Sequence, residues 1–209
     1  MSGWPLFDLR LWTGAVELRP VTDEDLTTLE GLLPADFEQD PRYDPWPTLT
    51  ADANRRRILR QSVWDGRGSW RPDAWQLSFT VRVSDIIVGL QVLEAPNWGI
   101  DRTVDSASWL APPARGQGYG TDMRRAILEL ALGRLGAAAA VSSAWDDNVP
   151  SLRVSSRLGY EVQDARPHAT ADREGTLVHV RLDAARWAAL AQGWDVRIIG
   201  LDACQEWFA

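Results

Sequence analysis

The chain has 209 residues, 24% of them charged and 45% hydrophobic, with a formal net charge of −7. That length accommodates one ordinary domain with a buried core, and the acidic balance argues against a broad nucleic-acid-binding surface, which needs clustered Lys and Arg. No run of about 20 apolar residues suggests a membrane span.

In chain order, "AVELRPVTDEDL" (Ala15–Leu26) predicts a short strand followed by a helix start. Thr22 caps that helix, and Asp23, Glu24 and Asp25 suit its first turn. Residues 34–50, "PADFEQDPRYDPWPTLT", are crowded with proline and acid and predict a loop. Helical periodicity returns at Asp52–Val63, and "DGRGSWRPD" is expected to break it. Within that helix Arg55-Arg56-Arg57, the one dense basic run, reads as a solvated face. "WQLSFTVRV" (Trp75–Val83) alternates as a strand, Ser84-Asp85 reads as a turn, and "IIVGLQVLEA" (Ile86–Ala95) as its hairpin partner. "VDSASWL" (Val104–Leu110) predicts a third strand, closed by "APPARGQG". A helix then runs from about Gly118 to about Leu135. "AAAAVSSAW" (Ala137–Trp145) predicts a buried strand. "VPSLRVSSRLGY" (Val149–Tyr160) predicts a helix with Pro150 in its first turn and Gly159 at its C-cap. "ARPHATADREG" reads as a turn, and "GTLVHVRL" (Gly175–Leu182) as a late strand.

Twelve tryptophans are distributed along the chain. Most are expected in the core, while Trp46 and Trp98, in Pro-, Gly- and Asn-rich stretches, are candidates for lining a pocket. The single cysteine, Cys204, permits no intrachain disulfide. The opening "MSGWPLFDLRLW" lacks the basic-then-apolar pattern of a secretory signal, so a cytoplasmic location is expected.

The chemistry concentrates in "ARGQGYGTDMRRAILELAL" (Ala114–Leu132). A strand, a glycine-rich turn and a helix together frame an anion site: unpaired N–H groups at the helix N-terminus face the ligand, and glycine lets the backbone approach a phosphate. Arg115 adds a fork of donors suited to phosphate oxygens. A Walker A loop is excluded, since no G-x-x-x-x-G-K-[ST] occurs. The dinucleotide pattern G-x-G-x-x-G fails at Thr121, and the strands ahead of it form a meander rather than a βαβ unit. An ordinary tight turn accounts for the glycines equally well on their own.

The residues downstream add to this. "RGQGYG" (Arg115–Gly120), then a helix, a strand and "DNVPSLRVSSRLGY" (Asp147–Tyr160) resemble the GNAT acyltransferase superfamily. Its signature [QR]-x-x-G-x-[GA] is met by Arg115, Gly118 and Gly120. Its second signature, an Asn and a small residue opening a helix that ends in a Gly-aromatic pair, is met by Asn148, Ser151, Gly159 and Tyr160. "VDSASWLAPPARGQGYG" is similar to the strand and loop of the ribosomal-protein-acetyltransferase branch. "WPLFDLRL", "SWL…GYGTDMR" and "GLDAC" resemble an actinobacterial subgroup that includes a succinyl-CoA-dependent transferase. The resemblance spans roughly Ala15 to Asp183.

It implies an α/β (α+β) fold with a mixed, mostly antiparallel central sheet, a splayed strand pair and flanking helices. A single domain would cover residues 1–209, with a core of about 15–183 and a C-terminal extension, 184–209, packed on the core or on a partner subunit. The implied co-substrate is acetyl-CoA or succinyl-CoA, with its pyrophosphate on the N–H groups of Arg115, Gly116, Gln117, Gly118, Tyr119, Gly120 and Thr121. Its pantetheine arm would run along Trp109 and Leu110, and Asn148 and Ser151 would complete the wall. Arg153 is either a further phosphate ligand or a solvated helix position.

An ammonium nucleophile must lose a proton before attacking a thioester, and the leaving thiolate benefits from an acid. The resemblance implies direct transfer, with Asp105 as the base acting through water; the alternation of "VDSASWL" equally allows a solvent-facing polar residue there. Many relatives carry a Tyr as thiolate acid where this chain has Ser155, so Ser155 is at most an auxiliary. Cys204 is a poor covalent nucleophile, far from the signatures and without a neighbouring His. His168 and His179 are not at metal-ligand spacing, and no metal is expected. The acceptor wall falls in about residues 25–70, where Asp36, Glu38, Asp40, Tyr43, Asp44 and Trp46 suit a cationic amine, either a small molecule or a peptide or protein amine. The competing class is a non-catalytic acyl-CoA-binding or sensing protein. The apolar "WPLFDLRLW" and the tail "ALAQGWDVRIIGLDACQEWFA" are expected to pack together, within one subunit or across a homodimer.

Overall fold

The computed structural model describes residues 3–37, 40, 42–170 and 173–208. The chain opens with the strands β1 (Arg10–Thr13) and β2 (Val16–Pro20), then α1 (Asp23–Leu32) and α2 (Ala51–Gly68). β3 (Trp75–Val83), β4 (Ile86–Ala95), the short α3 (Trp98–Asp101) and β5 (Thr103–Leu110) follow. α4 (Tyr119–Leu128) continues into a π-helical turn over Glu129–Arg134. The remainder is β6 (Ala139–Trp145), α5 (Val149–Arg157), β7 (Glu161–Ala169), β8 (Glu174–Asp183), α6 (Ala184–Leu190) and β9 (Arg197–Ile199).

Local chemistry sets several boundaries. α1 starts in a capping box, in which Thr22 accepts from the Asp25 amide and the Asp25 carboxylate accepts from the Thr22 amide at 2.9 Å. Ser84 and Asp85 both adopt positive φ, 49° and 66°, which matches the twist of the β3–β4 hairpin. α2 ends within "DGRGSWRPD", as expected, after running through Gly68. Gln76 of β3 donates to the Ser62 carbonyl at 3.2 Å, and the Ser69 amide closes the last turn on Asp65 at 2.8 Å. Within "ARPHATADREG" the strands reach further than expected: Ala165–Ala169 belongs to β7, and Glu174 and Gly175 to β8. His168 lies in β7, which pairs antiparallel with β8. Strand β7 is an edge, where the missing N–H of Pro167 is tolerated, and its exposed residues carry no alternation that would betray a strand.

The strands form one sheet in the order β7-β8-β6-β5-β4-β3-β2-β1-β9. Every neighbouring pair is antiparallel except β5 and β6, which pair in parallel at Thr103↔Ala139, Val104↔Ala140 and Asp105↔Val141. Beyond Asp105 that ladder stops and the two strands part. α1 and α2 cover one face of the sheet through Leu26, Leu29, Leu59 and Val63, packed with Leu90 and Trp109. On the other face Met123, Ala126, Ile127 and Leu130 pack against Phe79, Val81, Leu93 and Val104.

The two ends of the described chain meet within the same subunit. β9 pairs with β1, the rings of Trp4 and Trp207 lie 4.8 Å apart, and the indole N–H of Trp98 donates to the Phe208 carbonyl at 2.6 Å. Trp98, expected to line a pocket, is thus a core residue, 1% exposed. Trp46 stays half exposed, with the Arg57 guanidinium 4.2 Å above its ring.

Candidate active site

The glycine loop connects β5 to α4. Gly118 is the N-cap of α4 at φ 89°, and Gly116 sits at φ 75°. Both conformations favour glycine, and a Cβ at either position would meet no protein atom within 4 Å, so the loop presents bare backbone outward. The Arg115 amide donates to the Pro112 carbonyl, and those of Thr121 and Asp122 to that of Gly118. Among the described residues, the amides of Gly116, Gln117, Gly118, Tyr119 and Gly120 donate to no backbone carbonyl. The donor set is therefore narrower than the Arg115–Thr121 span expected from sequence, and it sits at the positive end of the α4 dipole. The Gln117 side chain donates to the Pro113 carbonyl at 2.8 Å and accepts from the Tyr119 hydroxyl at 3.1 Å, which shapes the loop from within.

The Arg115 side chain, expected to offer donors to a phosphate, is engaged with protein groups in this structure. Its guanidinium makes two bonds of 2.8 Å to the Asp36 carboxylate and one of 3.0 Å to the Leu110 carbonyl. That pairing holds the Asp36 carboxyl below its usual range. Arg115 thus ties the loop to the segment that follows α1.

Behind the loop, β5 from Ser106 to Leu110 has no strand partner on its β6 side among the described residues. Trp109 is buried, with its ring centroid 6.2 Å from that of Phe37. The other flank begins at Asn148, whose side chain accepts the Ser151 amide at 3.3 Å to cap α5. Ser155 lies buried in the last turn of α5, and its carbonyl accepts the Tyr160 amide at 3.0 Å.

Asp105 occupies the last rung before the strands part. Burial pushes its carboxyl up to about 6, and the charge of Glu94 adds to the rise; the Ser106 amide at 2.6 Å, Arg124 and His179 pull it back. Glu94 was not singled out from sequence, although it is the sole charged residue of "IIVGLQVLEA" and stands directly across from Asp105 in the β4–β5 register. Arg42 bridges Glu94 at 3.1 Å and Asp40 at 2.7 Å, so the loop after α1 closes over this end of the sheet.

Several side chains assigned to the acceptor wall are engaged already, while Asp44 is held through its backbone. Asp36 holds Arg115, Asp40 holds Arg42, the Tyr43 hydroxyl donates to Asp65 at 3.2 Å, and the Asp44 carbonyl accepts from Arg57 at 2.7 Å. Trp46 is clasped through its backbone by Asn54, and Glu38 lies outside the described residues. The Cys204 thiol is buried and pushed up to about 11, chiefly by burial, which makes it a poor nucleophile. Among the described residues no group of His, Cys, Asp and Glu could hold a metal ion. No described helix is long and apolar enough to cross a membrane.

The site thus combines a parallel strand pair that parts at its middle with a glycine loop at the mouth. Residues 15–161 match the family model of the acetyltransferase (GNAT) domain. The chain belongs to that family. Among solved structures it is similar to Mycobacterium smegmatis RimJ in complex with CoA-disulfide, with a TM-score of 0.70 at 18% identity over 88% of this chain and 95% of that one. It is also similar to RimL, a ribosomal alpha-N-protein acetyltransferase in complex with coenzyme A (TM-score 0.64, 14% identity, 83% and 97% covered). A chimera of spermidine N-acetyltransferase SpeG from Vibrio cholerae and hSSAT matches at a TM-score of 0.65 and 14% identity over 84% and 99%.

Proposed function

We propose that this chain is an acyl-CoA-dependent N-acyltransferase that moves an acetyl or succinyl group onto a primary amine by direct transfer. The observation that carries this reading is the alignment of three features along one cleft: five free amides at the mouth, an unpaired stretch of β5 behind them, and Asp105 where the strands part. The amides of residues 116–120 would hold the pyrophosphate and the open edge from Ser106 to Leu110 the pantetheine arm. Asn148 and Ser151 flank the arm from α5.

With its carboxyl at about 6, Asp105 is ionised at neutral pH yet close enough to its midpoint to accept a proton. It takes the proton of the acceptor ammonium through water. The free amine attacks the thioester carbonyl, the C–S bond breaks, and the thiolate takes a proton from solvent, with Ser155 assisting at most. The products are the amide and free CoA. Glu94 beside Asp105 gives the acceptor side its negative character, which suits an amine, whether small or carried on a peptide or protein.

A second reading, an acyl-CoA-binding protein without turnover, is favoured by the engagement of Glu94 and Asp40 with Arg42 and by Ser155 in place of a phenol. Free-thiol release from acetyl- and succinyl-CoA with a panel of amines decides between them: release with any amine supports transfer, and tight binding with no release supports the second reading. We further propose that the chain acts in a reducing cytoplasm, as its one buried thiol suits, and as a homodimer. The terminal contacts that suggested pairing are satisfied within one subunit, so a dimer would use another face.

A further inference from the structure

The loop between α1 and α2 sends one cation to the end of the sheet where β5 and β6 part. The Arg42 guanidinium donates to the Asp40 carboxylate from Nε at 3.0 Å and from Nη2 at 2.7 Å, and its Nη1 lies 3.1 Å from Glu94 Oε2. The Arg42 amide also donates to Asp40 at 2.9 Å, and the next residue anchors the loop through the Tyr43 hydroxyl on Asp65 at 3.2 Å. Asp40 thus holds the guanidinium from within its own loop, with Nη1 left to reach Glu94. The Arg42 side chain is 59% exposed against 25% for Glu94, so it caps that carboxylate from the solvent side.

Glu94 in turn stands directly opposite Asp105 in the β4–β5 register. Residues directly opposite on antiparallel strands share a face, with Cβ atoms about 5 Å apart. Alternation along the two strands makes it the face that carries Leu90 and Trp109, beneath α1 and α2. Arg42, Glu94 and Asp105 therefore follow one another inward from the loop to the last rung between β5 and β6. The other charges that face Asp105 come from Arg124 of α4 and His179 of β8, with the Tyr160 phenol nearby after α5.

Of Glu94, Arg124 and His179, Glu94 alone opposes the ionisation of Asp105. How strongly it does so depends on its partner. A carboxylate paired with a guanidinium projects the field of a dipole on its neighbour, and a lone carboxylate that of a full charge. Without Arg42, Glu94 would act on Asp105 uncompensated and would favour the proton there. The direct pull of the guanidinium on Asp105 is the lesser part, since Arg42 lies one residue further out and faces water.

We propose that Arg42 is a positioning residue for the transfer: by pairing with Glu94 it fixes that carboxylate across from Asp105, limits its charge, and so sets the pH at which Asp105 can take the proton of the acceptor. This rests on the reading of Asp105 as the base.

The test follows the acid limb of kcat/KM by thiol release in the wild-type chain, Arg42→Gln, Glu94→Gln and the double variant. Carbon-detected NMR titration of the Asp105 carboxyl, identified by its loss in Asp105→Asn, runs beside it. Arg42→Gln should raise the midpoint in both readouts by about 0.5–1 pH unit, as expected for the loss of one partly exposed charge close by. Arg42→Lys, which keeps the charge, should recover most of that shift. Glu94→Gln should lower the midpoint, and adding Arg42→Gln to it should then move it far less than in the wild-type chain. An unmoved midpoint in a folded Arg42→Gln overturns the proposal. So does an equal shift with and without Glu94, which would have Arg42 act on Asp105 directly. Should Arg42→Gln fail to fold, an unchanged midpoint in Glu94→Gln overturns it instead. A carboxyl that shifts in the NMR titration while the acid limb stays still shows that the charges are coupled but that Asp105 is not the base; the underlying reading then falls, and this proposal with it.

Discussion

Arg115 and Asp36 stand 79 residues apart in sequence and are joined by two N–H···O bonds of 2.8 Å. One belongs to the glycine loop and the other to the loop beyond α1, so the pair links the proposed cofactor side of the cleft to its proposed acceptor side. Both side chains are substantially exposed, and an exposed pair contributes only about 0–1 kcal/mol. Its consequence is positional. In a double-mutant cycle, Arg115→Ala and Asp36→Ala should couple by less than about 1 kcal/mol in denaturant unfolding, less still in high salt. Each single change should raise the KM for acyl-CoA several-fold, measured by thiol release. An unchanged KM in both would show that the bridge positions nothing.

Gly118 should tolerate no side chain on functional grounds. Its φ of 89° costs an L-residue about 1–2 kcal/mol, yet a Cβ there meets no protein atom. Gly118→Val should therefore fold with slightly reduced stability and lose CoA binding, because the methyls stand where the pyrophosphate would approach. Calorimetry with CoA reads this directly, and wild-type affinity in the variant would remove the loop from the site.

The raised carboxyl of Asp105 links activity to stability in opposite senses. Burial favours its protonated form, so the folded state holds the proton between the ordinary carboxylate range and about 6 while the unfolded chain releases it. Stability from this group is present below the unfolded value and is lost as pH rises through about 6. Ionisation of the base brings activity in over the same window. The kcat/KM profile should fall on the acid side with a midpoint near 6. Asp105→Asn should lower turnover, abolish that limb and flatten the matching fall in unfolding free energy, while Ser155→Ala should cost less. An acid limb that survives in Asp105→Asn would assign the base to another group.

The aromatic clasp between the chain ends should dominate stability. Trp98 is fully buried and holds the Phe208 carbonyl, so Trp98→Ala should cost about 3–5 kcal/mol in denaturant unfolding. Truncation after Leu190 removes β9 and uncovers the edge of β1 with its aromatic neighbours, and should give aggregation by light scattering. A soluble truncated chain of unchanged mass and activity would show the clasp to be dispensable.

Alternation and caps made β3, β4 and α1 legible, because hydrophobic period and capping are local properties of the sequence. The glycine loop was legible for the same reason: its glycines stand where φ must be positive and the backbone bare. β7 was not, since an exposed edge strand has no apolar face to mark it. Trp98 misled because a Gly- and Asn-rich neighbourhood says nothing of the partner that arrives 110 residues later. Glu94 acquires its meaning only through strand register, which sets it across from Asp105. Arg115 carried the right chemistry for phosphate, but its choice of Asp36 is a tertiary fact.

The pairing of β9 with β1 has a bearing on how the chain is made. β1 leaves the ribosome well ahead of β9, the strand that covers its edge. Until then Leu9 and Leu11, with the aromatic groups of Trp75 and Trp98, lack the lid formed by Cys204, Trp207 and Phe208. Until β9 emerges, the nascent chain therefore carries an open strand edge and a sticky aromatic face, a period in which a chaperone or slow elongation would govern yield.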